Sequence, residues 1–168
     1  MVQSEVRRDA VSLDWENLGF QYVKTRCYVT ATYKDGQWSG LSLIDEPYVR
    51  LHIGATALHY GQTCFEGLKA FRCRDGITRS FRPDENAARM MASAERLVIP
   101  KVPESMFLDA VHTAVRENAE YIPPYGTGGA MYVRPLLFGS GAKIGLQPAD
   151  EYTFLVLVVP VGDYYKGG

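Results

Sequence analysis

The sequence predicts an α+β fold, a mostly antiparallel sheet packed with two helices. Two Asp-Gly pairs each sit between short segments rich in β-branched and aromatic residues, two stretches with apolar residues three and four apart follow one another directly, and two long apolar segments come last. Hairpin strands, then consecutive helices, then further strands describe a layered arrangement and not an alternating parallel one.

The elements follow in order. Cys27 to Tyr33 is strand-like, Lys34-Asp35-Gly36 is a turn, and Gln37-Trp38 resumes the strand. Asp-Gly supplies the positive φ of a tight hairpin. From Leu58 to Arg72 two glycines, Gly61 and Gly67, let the chain turn sharply, so this stretch reads as a turn entering a strand. Glu66 to Arg72 and Ile77 to Phe81 then flank Cys73-Arg74-Asp75-Gly76, a second hairpin. After Pro83, residues Ala87, Met90, Met91, Ala94 and Leu97 share one helical face, and Pro100 stops it. After Pro103, residues Phe107, Ala110, Val111, Ala114 and Val115 repeat the pattern, with Pro123-Pro124 ending that stretch just beyond Tyr121. Tyr152 to Val161 is long and β-branched enough for a central strand buried on both faces. Ala130 to Phe138 is also a strand, and Pro135 predicts an edge or a bulge there.

The bulk properties bound the function. A hydrophobic fraction of 46% in 168 residues is enough for one globular core, and no repeat or low-complexity tract marks a linker, so residues 1–168 read as a single domain. A formal charge of -1 gives no bulk field for nucleic acid or an anionic membrane. Cys27, Cys64 and Cys73 form neither a C-x-x-C pair nor a zinc spacing, which argues against a disulfide framework and for a reducing compartment. Glu5, Arg7, Arg8 and Asp9 precede no apolar run, so neither a secretory signal nor a spanning helix is visible and the expected location is cytoplasmic. His52, His59 and His112 lack the pairing of a metal site, and none is expected. Gly139-Ser140-Gly141-Ala142-Lys143 lacks the spacer of a phosphate-binding loop and reads as a flexible turn.

Three places carry candidate chemistry. Tyr132 and Arg134 alternate along one strand and emerge on the same face, where a guanidinium fork beside a phenol is a receptor for a carboxylate or half of a surface ion pair. Tyr60 stands beside the turn at Gly61 and serves either a pocket rim or a structural partner. Arg89, among Ala87, Ala88, Met90 and Met91, reaches an anionic ligand or lies along the helix toward water.

Leu58-His59-Tyr60-Gly61-Gln62 with Phe65-Glu66-Gly67-Leu68-Lys69-Ala70, Phe81 through Met90, Met131-Tyr132-Val133-Arg134-Pro135, and Glu151-Tyr152-Thr153-Phe154 through Gly162 resemble the branched-chain amino acid aminotransferases in order and spacing. Leu13 to Phe20 looks like the opening of the same family, so the resemblance spans almost the whole chain. It implies a fold-type-IV pyridoxal phosphate enzyme of which this is the N-terminal small domain, the C-terminal cofactor domain being absent from the chain. By the same resemblance Tyr60, Tyr132 and Arg134 line the substrate side, Phe20 and Phe65 wall a branched side chain, and Arg89 approaches the cofactor phosphate. Asp163 to Gly168 resembles the interdomain connection. Family members carry an acidic residue and then bulky ones where this chain has Arg26-Cys27-Tyr28.

None of the six lysines, Lys24, Lys34, Lys69, Lys101, Lys143 and Lys166, falls in the family's motif for holding the cofactor, so the chain alone is expected to bind none and not to transaminate. Two readings follow. In one the chain acts with a C-terminal-domain partner as a truncated aminotransferase. In the other it is a repurposed stand-alone domain, a cofactor-free enzyme of isomerase or cyclase type or a binding protein. An inert relative that regulates a full-length enzyme is a third. Self-association into a homo-oligomer is expected in the family's manner.

Overall fold

The structure is a computed structural model that describes residues 11–162; the expectations for Glu5 to Asp9 and for Asp163 to Gly168, Lys166 included, lie outside them. Asp35 and Gly36 both take positive φ, 52° and 83°, and turn β1 (Tyr28–Lys34) back as β2 (Gln37–Trp38). This is the predicted first hairpin. β3 (Ser42–Ile44) pairs with the start of β1. A helix of five residues, α1 (Thr56–Tyr60), ends on left-handed Gly61 and leads into β4 (Thr63–Phe65). It is too short to show a helical period, which is why the sequence reads only as a turn there.

β5 (Leu68–Arg72) and β6 (Thr78–Ser80) form the second hairpin, with Gly76 at φ 78° and the Asp75 carboxylate accepting from the Ile77 N–H and the Arg79 guanidinium. α2 (Pro83–Arg96) stops short of Pro100: Val98 takes a left-handed φ of 54°, and the Ile99 N–H donates back to the Ala94 carbonyl. The stop is therefore a left-handed residue and not the proline. α3 (Glu104–Glu117) also ends early, at Asn118, and a single 3-10 turn, Ala119–Tyr121, fills the gap to Pro123. β7 (Ala130–Gly139) and β8 (Tyr152–Val161) complete the sheet.

The pairings among these strands are antiparallel, in the order β2-β1-β8-β7-β5-β6, with β3 also on β1 and β4 also on β7. β8 is the central strand its composition predicts. β7 is interior too, which corrects the expectation that Pro135 marks an edge or a bulge. The Glu66 N–H donates to the Pro135 carbonyl at 2.9 Å, and the proline, having no N–H, cannot return the bond. The neighbouring ladder breaks there into β4 and β5, with Glu66 and Gly67 between them.

α2 and α3 cover one face of the sheet. Phe107, Val111, Met90 and Ala94 pack there with Met131, Val133, Phe154 and Val156 in a single core. Gly139 to Lys143 is tied down and not the flexible turn expected: the Ser140 and Gly141 N–H groups donate to the Glu151 carbonyl, Lys143 N–H donates to Gly54, and Lys143 pairs with Asp150. No helix among the described residues is long and apolar enough to cross a membrane.

Candidate functional site

Alternation along β7 puts Met131 and Val133 into the core and leaves Tyr132 and Arg134 on the opposite face. There Arg134 donates to the Tyr132 hydroxyl twice, from Nε at 3.0 Å and from Nη2 at 2.9 Å. Its guanidinium lies 4.4 Å from the centre of the Phe65 ring, and Phe20 meets Tyr132 edge-on at 5.1 Å between centroids. Four of the six expected site residues are thus one cluster: a cation and a phenol between two aromatic rings. Lys69 stands across from Tyr132 on β5 and shares its face.

Arg89 is held by a residue the sequence does not single out. Glu66 is 3% exposed, yet its carboxylate accepts from Arg89 Nε at 2.7 Å, from Arg89 Nη2 and from Asn86 Nδ2 at 2.8 Å. Burial alone would raise the Glu66 pKa; the hydrogen bonds from Arg89 and Asn86 and the Arg89 charge outweigh it and hold the carboxyl below the usual range. The same pair raises Arg89 above its ordinary value. Burial and the Glu66 charge push the neighbouring Cys64 thiol up to about 11.

Tyr60 lies apart from the cluster in its bonding. Its hydroxyl donates to the Ile144 carbonyl, on the connection between β7 and β8. Gln62 fixes this end of the fold: its side-chain oxygen accepts from the Thr56 hydroxyl and the Ala149 N–H, and its nitrogen donates to the Leu97 carbonyl at 3.0 Å. The altered Arg26-Cys27 segment is secured by Asn118, whose oxygen accepts from both backbone N–H groups. It borders an apolar cavity of about 100 Å³ lined in part by Tyr22, Thr25, Pro47 and Leu157.

The fold is an α+β domain that carries this cluster on the sheet face turned away from α2 and α3. No protein-family model matches the chain. Among solved structures it is similar to the branched-chain amino acid aminotransferase of Escherichia coli, at 21% identity and a TM-score of 0.62 over 86% of this chain and 42% of that one. It is also similar to the branched-chain aminotransferase of Thermoproteus uzoniensis, at 24% identity and a TM-score of 0.61 over 82% of this chain and 43% of that one. These likenesses show the fold. In sequence it is 49% identical over 156 residues to the branched-chain-amino-acid aminotransferase of Haemophilus influenzae, covering 93% of this chain and 46% of that protein. It is 48% identical over 157 residues to that of Helicobacter pylori, covering 94% and 46%. The chain spans about half the length of these relatives, and over that span it is similar to the N-terminal part of branched-chain amino acid aminotransferases.

Pyridoxal phosphate is the cofactor that this family implies. Among the described residues Lys34, Lys101 and Lys143 are paired with Glu151, Glu95 and Asp150, and Arg89 is engaged by Glu66. Of these, Arg89 keeps a solvent-facing edge that would meet an anionic group, its Nε and Nη2 being bonded to Glu66.

Proposed function

We propose that this chain is the substrate-binding wall of a branched-chain amino acid aminotransferase, transferring an amino group between branched-chain amino acids and 2-oxo acids when a cofactor-bearing C-terminal part completes it. The observation that carries this reading is the Arg134 and Tyr132 pair set between Phe65 and Phe20. A 2-oxo acid has a carboxylate at one end and an apolar branch at the other, and the cluster has matching groups for both. Arg134 spends its Nε and Nη2 hydrogens on Tyr132, so the phenol's own proton is left to donate to a ligand oxygen. The two aromatic rings shield that contact from water and receive the branched side chain.

In this reading the completing part would hold pyridoxal phosphate, which would supply the electron sink for amino transfer, and the solvent-facing edge of Arg89 would approach its phosphate. Tyr60 contributes from the end of α1, fixed by its bond to Ile144. Assembly as a homo-oligomer and a cytoplasmic location belong to the same proposal; three cysteines that are free thiols support the latter.

The test is an NMR titration of the chain with 4-methyl-2-oxopentanoate. Saturable shifts at Tyr132 and Arg134 that vanish in R134M support the reading. Shifts that survive in R134M, or none in a folded chain, overturn it. A parallel absorbance titration with pyridoxal phosphate, fixed with borohydride, is expected to label no single lysine. A saturable band on one residue would return the cofactor chemistry to this chain.

A further inference from the structure

Gly67 is a glycine that its backbone does not require. The described glycines with positive φ are Gly36, Gly61, Gly76, Gly126 and Gly128, so at position 67 an L residue would meet no conformational strain. Space is what forbids one. A Cβ built on Gly67 would fall 2.4 Å from the Tyr132 hydroxyl oxygen and 3.1 Å from its ring carbon Cζ, well inside contact distance.

The bend that carries Gly67 cannot drift away to make room. On one side the Glu66 N–H is bonded to Pro135; on the other the Glu66 carboxylate is held by Arg89 and Asn86, and Asn86 Nδ2 reaches the Gly67 carbonyl at 3.4 Å. The mobile partner is the phenol, the far end of a side chain. Displacing it separates its oxygen from the two Arg134 donors.

We infer that Gly67 is a positioning residue: its missing side chain sets where the Tyr132 hydroxyl stands, and through that hydroxyl it fixes the orientation of Arg134. This deepens the carboxylate-receptor reading and rests on it for the ligand, but the coupling between Gly67 and Tyr132 is a property of the unliganded chain. Position 67 is then a control on substrate binding without touching substrate.

The experiment is a double-mutant cycle of G67A, Y132F and G67A/Y132F, read by urea unfolding and by the NMR signal of the Arg134 Nε–H. In G67A that signal is expected to be lost to solvent exchange, as in Y132F, and the urea midpoint to fall. In the Y132F background the added methyl group is expected to lower the midpoint much less, because the oxygen it strikes is gone. An unchanged Arg134 signal in G67A, or an equal penalty in both backgrounds, overturns the inference. Should G67A fail to fold, the double variant decides: a folded G67A/Y132F supports the coupling and an unfolded one sinks it. A wild-type chain that binds no oxo acid defeats the functional reading alone, since none of these readouts uses a ligand.

Discussion

Glu66 and Arg89 form a bidentate ion pair in which the acid is buried and the base is not: the carboxylate is 3% exposed and the guanidinium side chain 68%. Of the two, the acid depends on the pairing, because a carboxylate taken out of water needs a compensating charge. The base keeps one edge toward the solvent.

Stability at low pH follows from that asymmetry. The Glu66 pKa is depressed in the folded state, so the unfolded chain takes up the proton first as pH falls. The stabilisation is complete above the ordinary carboxylate pKa of about 4.3 and is lost as pH drops through the lower folded value. Urea unfolding repeated between neutral and acid pH should show this loss, and E66Q should flatten it. An identical acid slope in E66Q would disprove the assignment.

Removing the partner should raise the Glu66 pKa. In R89M the burial of Glu66 remains while its chief counter-charge is gone, so its carboxyl is expected to titrate above the value in the parent chain. Carbon-detected NMR of the Glu66 side chain reads the midpoint directly. A midpoint that stays put would mean that Asn86 and the backbone suffice.

Asn118 is fully buried and joins two elements, accepting from Arg26 N–H and Cys27 N–H while donating to the carbonyls of Cys27 and Ala114. N118A leaves those backbone groups without this partner, and about 1–3 kcal/mol is the upper range for each because the Arg26 and Cys27 amides are only partly buried. Unfolding free energy should fall by an amount in that range, and the Cys27 amide should lose protection against hydrogen exchange. Unchanged protection would show that the segment holds itself.

Phe107 anchors α3 to the sheet, with no exposed surface and its ring 6.0 Å from that of Phe154. F107A is expected to cost about 3–5 kcal/mol, measured by urea unfolding, and F107L markedly less because most of the volume is kept. Equal costs would point to the aromatic contact and not to the cavity.

The parts of the fold with a strong local signal were legible in the sequence. Asp35-Gly36 and Asp75-Gly76 declare their turns, the spacing of Ala87, Met90 and Ala94 declares the buried face of α2, and the unbroken apolar run of β8 declares a central strand. What escaped was set by partners distant along the chain. Pro135 reads as an edge residue until the broken ladder beside it is seen, and α3 ends where Asn118 turns its amide toward Cys27, 91 positions away. The site divides in the same way. Alternation alone puts Tyr132 and Arg134 on one face, but Phe20 and Phe65 come only from the family resemblance. Glu66 was missed because its partner lies 23 positions on; the one local hint is an acid between Phe65 and Gly67-Leu68 in an otherwise apolar stretch.

Pro135 lends no side chain to the cluster, yet it sets the break between β4 and β5 beside it. Any other amino acid there would carry an N–H able to complete the exchange with Glu66 and zip β4 and β5 into one uninterrupted strand. That strand would be the more regular and the better bonded. It would also draw Glu66 and Gly67 into the ladder, with Arg89 on one side and Tyr132 on the other. At this position the missing N–H leaves Glu66 and Gly67 outside the paired strands, Glu66 bonded to Arg89 and Gly67 closed over by the Tyr132 phenol.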